Sequence, residues 1–464
     1  MATASENTTM ATRQNTRACL DNMPVELLNL VLCSLRSPLE LNSIIHASSV
    51  CYRVFRRSRT VILSQVIRNA FGDALPDALG ALYALDAMDT WGVFPETGYI
   101  DIDTFLERYH SGVLDFPGDF ENLAHLSQIW LRTDSFVSDY SNRALLSMHG
   151  EKPPRLPVWA HPADSKLRDK VPVSATESTR LQRAFLRFDI FCICFPEDHA
   201  VRIMWYELLQ RRKRNRLFFG SLYLWEIEEL CCVHQYLTHL VTLLIEDLED
   251  DFYRDVMRAA DKGKLRQSER INEPAFAFSM INRKEMVNLH EDGLNIFSEA
   301  RKSRFESGIS SVCSEGIRLV RDLLCSDEDT RCLRIIRAFQ PSHTSFRNML
   351  GGVETTAKLR TVTNDSIYRH TYNIGWFQSQ EDMHRFWSRV GLRLSWRDSG
   401  FVFWDMSRVS DMKWEDRAYT YKERKTVEER LRGVYIDERL YKDIVQDYGG
   451  FFQYGYDERW EKPW

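Results

Sequence analysis

No apolar run in this chain approaches the ~18–20 residues needed to span a bilayer. The longest, FDIFCICF at 188–195 and LVTLLI at 240–245, are far too short, so no membrane is expected. Charge of one sign is not in excess either. A net charge of −5 over 464 residues gives no reason to expect a nucleic-acid partner. A disulfide framework is missing: ten cysteines stand at 19, 33, 51, 192, 194, 231, 232, 313, 325 and 332 without framework spacing. Most lie beside apolar residues in helical patterns, as reduced thiols of a cytoplasmic and/or nuclear protein do. The opening MATASENTTMATRQNTRA has no apolar core, so residues 1–18 read as a disordered tail and not as a secretory signal. Catalytic signatures are lacking as well. There is no Gly-x-Ser-x-Gly, no phosphate-cradling glycine loop and no His-Glu-x-x-His. No catalytic residue and no cofactor is therefore expected.

What is present is helical. The chain is 44% hydrophobic and 27% charged, ordinary globular composition, and its length predicts about two to four packed units. Leu181, Phe185, Phe188, Phe191 and Phe195 recur at spacings of three and four, as do Ile227, Leu230, Val233, Leu237 and Leu244. Shorter helical patterns fall near 101–110, 119–131, 313–325, 328–339, 378–390 and 426–446. Five prolines between 150 and 175 predict a linker or an extended segment. The best strand candidate is FVFW at 401–404. The predicted fold class is mainly α: an N-terminal three-helix unit with a helical extension over 19–85, then a larger, mostly helical region over 86–464 with irregular connections and few strands.

Four constellations invite chemistry, and each has a plainer reading. Arg211–Arg216 (RRKRNR) is either a nuclear-import signal or the solvated end of a helix, where cations suit the dipole. Cys192-x-Cys194 and Cys231-Cys232-x-His234 lack the spacing of zinc loops, so no metal is expected. The acidic run 246–251 lacks the alternating ligands and glycine of a calcium loop. His290-Glu291-Asp292 puts three titratable groups in a row, but helical neighbours point apart. Seven of the twelve tryptophans lie between 376 and 464, where core packing is the default.

The stretch MPVELLNLVLCSL, Met23 to Leu35, stands out. At 100° per residue, Val25, Leu27, Leu28, Val31, Leu32 and Leu35 cover an arc wider than the ~100° stripe of a surface helix. Pro24 suits a first helical turn, and Glu26 suits the positive end of its dipole. Ser37-Pro38-Leu39-Glu40 is a capping-box pattern that opens a second helix, with Leu41, Ile44 and Ile45 on its apolar face. Ser48 or Ser49 caps a third, with Val50, Cys51, Val54 and Phe55 inward and Arg53, Arg56, Arg57 and Arg59 outward. Three short helices bury little area alone and need support from the chain or from a partner.

This sequence of motifs resembles an F-box, in the version found in large fungal F-box protein families. The resemblance covers about 40 residues firmly and runs loosely to Leu85; Met23 stands for the usual leucine before proline, and the tryptophan common in the third helix is absent. It implies docking on the Skp-type adaptor of a cullin-RING ubiquitin ligase through Pro24, Leu27, Leu28, Val31, Leu32, Leu35, Leu39, Leu41, Ile44, Ile45, Val50, Cys51, Val54 and Phe55. It further implies a substrate receptor of an SCF-type ligase, non-catalytic, whose region 86–464 holds an unknown protein substrate for ubiquitin-dependent degradation. The alternative is a helical scaffold whose F-box-like unit packs only on its own chain; a third reading is an enzyme of unrecognised type. Burial of Leu27, Leu28 and Leu32 together favours the scaffold; an exposed apolar patch favours a partner.

Overall fold

The computed structural model describes residues 23–91, 102–149, 151, 153–157, 159, 172–195, 218–222, 224–261, 309–338, 397, 399–405 and 407–408. Its helices are α1 (Val25–Cys33), α2 (Pro38–Ala47), α3 (Ser49–Phe71), α4 (Leu75–Trp91), α5 (Ile102–His110), α6 (Phe120–Met148), α7 (Ala175–Cys194), α8 (Leu224–Asp261), α9 (Gly316–Cys325) and α10 (Glu328–Ala338). Among the described residues there is no strand, and the fold is mainly α. No helix among them is long and apolar enough to cross a membrane. The chain divides into two compact units, Met1–Gly72 with Phe116–Leu131, and Asp73–Asp115 with Arg132–Trp464.

In the first unit, local signals place the helix ends. Ser37 accepts from the Glu40 N–H at 3.1 Å, and the Glu40 carboxylate accepts from the Arg36 N–H at 2.8 Å, one residue earlier than in the usual reciprocal box. Ser48, not Ser49, caps α3 by accepting from the Cys51 N–H at 3.2 Å. α3 runs far beyond the short third helix read from the sequence. Its one non-helical residue is Ser58 (φ −126°, ψ 29°), and it stops at Gly72, whose φ of 50° suits only a residue without Cβ. α1 and α2 both pack on α3. Leu28, Leu32, Leu41, Cys51 and Val54 are buried there, with Ile62, Val66 and Ile67 from the later part of α3. The Asn69 amide donates to the carbonyls of Cys33 (2.8 Å) and Leu35 (2.9 Å), satisfying orphan groups at the end of α1.

In the second unit, α7 is buried on every side, with α4, α8, α9 and the turn Phe401–Phe403 packed around it. Its start is a full capping box: Ser174 accepts from the Glu177 N–H, and Glu177 accepts from the Ser174 N–H. A helix this deep needs its charges paired. Arg180, Arg183 and Arg187 share one face by spacing. Arg180 donates to the Phe403 carbonyl (2.8 Å) and Asp405 (2.9 Å); Arg183 and Arg187 meet both Asp77 and Glu226. Asp189, on the opposite face, accepts from Arg132 and from the Ile317 N–H. Gly316 (φ 85°) leaves room for it, since a Cβ there would stand 2.7 Å from an Asp189 oxygen.

Two expectations need correction. The segment 401–404 is no strand: Phe401–Phe403 forms a 3-10 turn entered through left-handed Gly400. Its apolar run reflects complete burial, with Trp404 donating to the Ser399 carbonyl at 2.7 Å. The pattern at 119–131 is only the start of α6, which continues to Met148. The predicted helices at 378–390 and 426–446, the basic run 211–216, His290-Glu291-Asp292, all of the late tryptophans except Trp404, and much of the proline-rich segment lie outside the described residues.

Candidate functional site

The fourteen residues singled out in the N-terminal helices fall into three groups. Leu28 and Leu32 (both 0% exposed), Leu41, Cys51 and Val54 form the unit's own core. Val31, Leu35, Ile44, Ile45, Val50 and Phe55 are half-buried. Pro24, Leu27 and Leu39 are exposed, Leu27 at 46% and Leu39 at 49%. The wide apolar arc of α1 is thus divided. One part closes the core against α3, and Leu27 faces water with half-buried Val31 beside it.

Leu30 also belongs to the exposed part; it follows Leu27 by one turn and is 66% exposed. Among the described residues, the large apolar side chains left exposed are Val25, Leu27, Leu30, Leu39, Tyr52, Val61 and Val113. All but Val113 belong to the first unit. Exposed apolar residues scattered singly are ordinary on a monomer; a contiguous patch of them would be a candidate interaction surface.

A groove opens on the same unit. Leu30 and Cys33 of α1, Thr60, Val61, Ser64 and Gln65 of α3, and Pro117 and Gly118 line an open volume of about 490 Å³. This lies within the range of roughly 300–1,000 Å³ usual for binding clefts. The strap that closes it, Phe116 to Phe120, is held by two guanidinium groups of α3. Arg68 sits 3.8 Å over the Phe116 ring and Arg59 4.4 Å over the Phe120 ring. None of these lining residues is among the fourteen. The signal was present as Val61 and as FPGDF at 116–120, but nothing local told that a segment from beyond α5 returns to the unit.

Among the described residues no group of three His, Cys, Asp or Glu is placed to hold a metal ion. Cys192, Cys194, Cys231 and Cys232 are buried, and burial pushes the Cys194 thiol up to about 12. Such thiols pack as small apolar groups. The acidic run 246–251 lies within α8, where Asp247 pairs with Arg155 at 2.6 Å.

No family model matches the chain, and no curated protein and no solved structure is similar to it.

Proposed function

We propose that the first unit is an F-box and that the chain is the substrate receptor of an SCF-type ubiquitin ligase, acting in the cytoplasm or nucleus. The observation that carries this reading is the division of α1. Leu28 and Leu32 are spent on the unit's own core, while Val25, Leu27, Leu39 and Tyr52 remain exposed on the three helices that carry the F-box resemblance. The Skp-type adaptor would cover that apolar surface. The second unit would hold the target, and catalysis would consist of proximity supplied to another enzyme. Chemistry by this chain itself is not part of the proposal.

Coprecipitation with the Skp-type adaptor tests it. Leu27→Asp with Leu39→Asp should abolish capture while the far-ultraviolet circular dichroism stays unchanged, because both side chains are already in water. Leu28→Asp is unsuited, since an unpaired carboxylate at a fully buried site unfolds the unit. No capture by the intact chain would return the unit to the alternative role, a helical interaction scaffold that does not bind the adaptor; undiminished capture by the folded double variant would overturn docking through Leu27 and Leu39.

A further inference from the structure

The groove between α1, α3 and the strap Phe116–Phe120 is chemically different from the apolar surface just described. Its floor offers apolar Leu30 and Val61, 66% and 62% exposed. Its walls offer the hydroxyls of Thr60 and Ser64, for which the structure shows no hydrogen-bond partner among the described residues. From α3, Arg68 lies over Phe116 and Arg59 over Phe120 of the strap, with Pro117 and Gly118 between these two rings in the groove wall.

Both guanidiniums lie on rings, and among the described residues neither forms an ion pair with a carboxylate, so no charge there neutralises them. Arg53, Arg56 and Arg57 stand on α3 just before this segment; they are exposed and form no ion pair among the described residues. Among the described residues of this unit, six arginines, 36, 53, 56, 57, 59 and 68, stand against Glu26, Glu40, Asp119 and Glu121. Two of these acids are already engaged. Glu40 holds the Arg36 N–H, and Asp119 caps α6 by accepting from the Asn122 N–H, which lowers its pKa. The groove is therefore apolar at its floor and electropositive at its rim.

We propose that this groove docks an acidic peptide segment of another protein. One bulky apolar side chain of the segment would rest on Leu30 and Val61, and carboxylates on either side would meet Arg59 and Arg68. The charge argues for this occupant over a second copy of the chain, whose matching face would bring arginine against arginine. The site shares no residue with the proposed adaptor surface, so the two stand or fall separately.

Gly118 provides a clean probe. Its backbone is not in the left-handed region, and a Cβ added there meets nothing within 4 Å. Gly118→Glu should therefore fold normally while placing a negative charge in the groove; Gly118→Arg is its counterpart. The experiment selects a random-peptide phage library on the full-length chain and measures the enriched peptides by fluorescence anisotropy. Enriched sequences should be acidic with a central large apolar residue, and their affinity should fall as salt is raised. Gly118→Glu should abolish binding and Gly118→Arg preserve it. Arg59→Gln and Arg68→Gln should each weaken it about two- to fivefold, the size of an exposed charge contact, with the Lys variants recovering part. Leu27→Asp should leave it unchanged. Enrichment of neutral or basic sequences, no enrichment, or binding indifferent to Gly118→Glu overturns the proposal. So does sedimentation as a dimer that Gly118→Glu dissolves, which would assign the groove to a second copy.

Discussion

Glu229 of α8 is buried at 3% exposure with no surface to release its charge. Burial pushes its carboxyl up to about 7, neighbouring Glu226 adds to the rise, and Arg183, Arg187 and Arg180 oppose it. The sign of the pH effect follows. Below pH ~4.3 both folded and unfolded chains carry the proton; as pH climbs, the unfolded chain releases it first and gains stability relative to the fold. The penalty is complete above about 7. On the acid side, burial lowers His239 to about 4, so stability falls as pH drops from ~6.5 towards that value. Glu229→Gln should therefore raise stability at pH 8 by an amount on the order of 3 kcal/mol and leave it unchanged near pH 4. Urea midpoints measured across this range decide it; parallel profiles for the two proteins would show that Glu229 is not held protonated.

At the scale of elements, α7 is the informative case. Its apolar period was legible, since Leu181, Phe185, Phe188 and Phe191 recur as a helix requires and all are buried. The arginines at 180, 183 and 187 follow the same period, and they are turned inward to Asp77, Glu226 and Asp405. Nothing near them in sequence announces such distant partners. Arg187→Leu leaves Asp77 and Glu226 short of their shared cation and should cost about 3–5 kcal/mol in chemical denaturation. Arg183 also reaches both acids and limits the loss. Adding Asp77→Asn should recover part of it, and an additive double variant would sink the picture of one coupled network. In the first unit the caps at Ser37 and Ser48 and the inward positions Leu41, Cys51 and Val54 were likewise legible. The partition of α1 was not, because Leu27 and Leu28 are the same residue type and only tertiary packing separates them.

At the scale of the whole molecule, the sequence suggests a contiguous N-terminal domain over 19–85, whereas the compact unit joins residues up to Gly72 with 116–131. Leu123, Leu126, Ile129 and Trp130 of that second piece are all buried. A fragment comprising 19–85 lacks them, together with the rings under Arg59 and Arg68. It should keep helical circular dichroism but melt without a cooperative transition, whereas the intact chain should show one. A sharp melt of the isolated fragment would mean that the returning segment adds little.

The same discontinuity sets an order of events during synthesis. A domain can close on the ribosome only after its last structural residue has cleared the exit tunnel, and N-terminal domains generally fold first. Here α1, α2 and α3 emerge early, but their closing segment follows the intervening 73–115, which belongs to the other unit. During that interval the first unit lacks Leu123, Leu126, Ile129 and Trp130, all buried in the finished fold, so it stays incomplete until the start of α6 has been made.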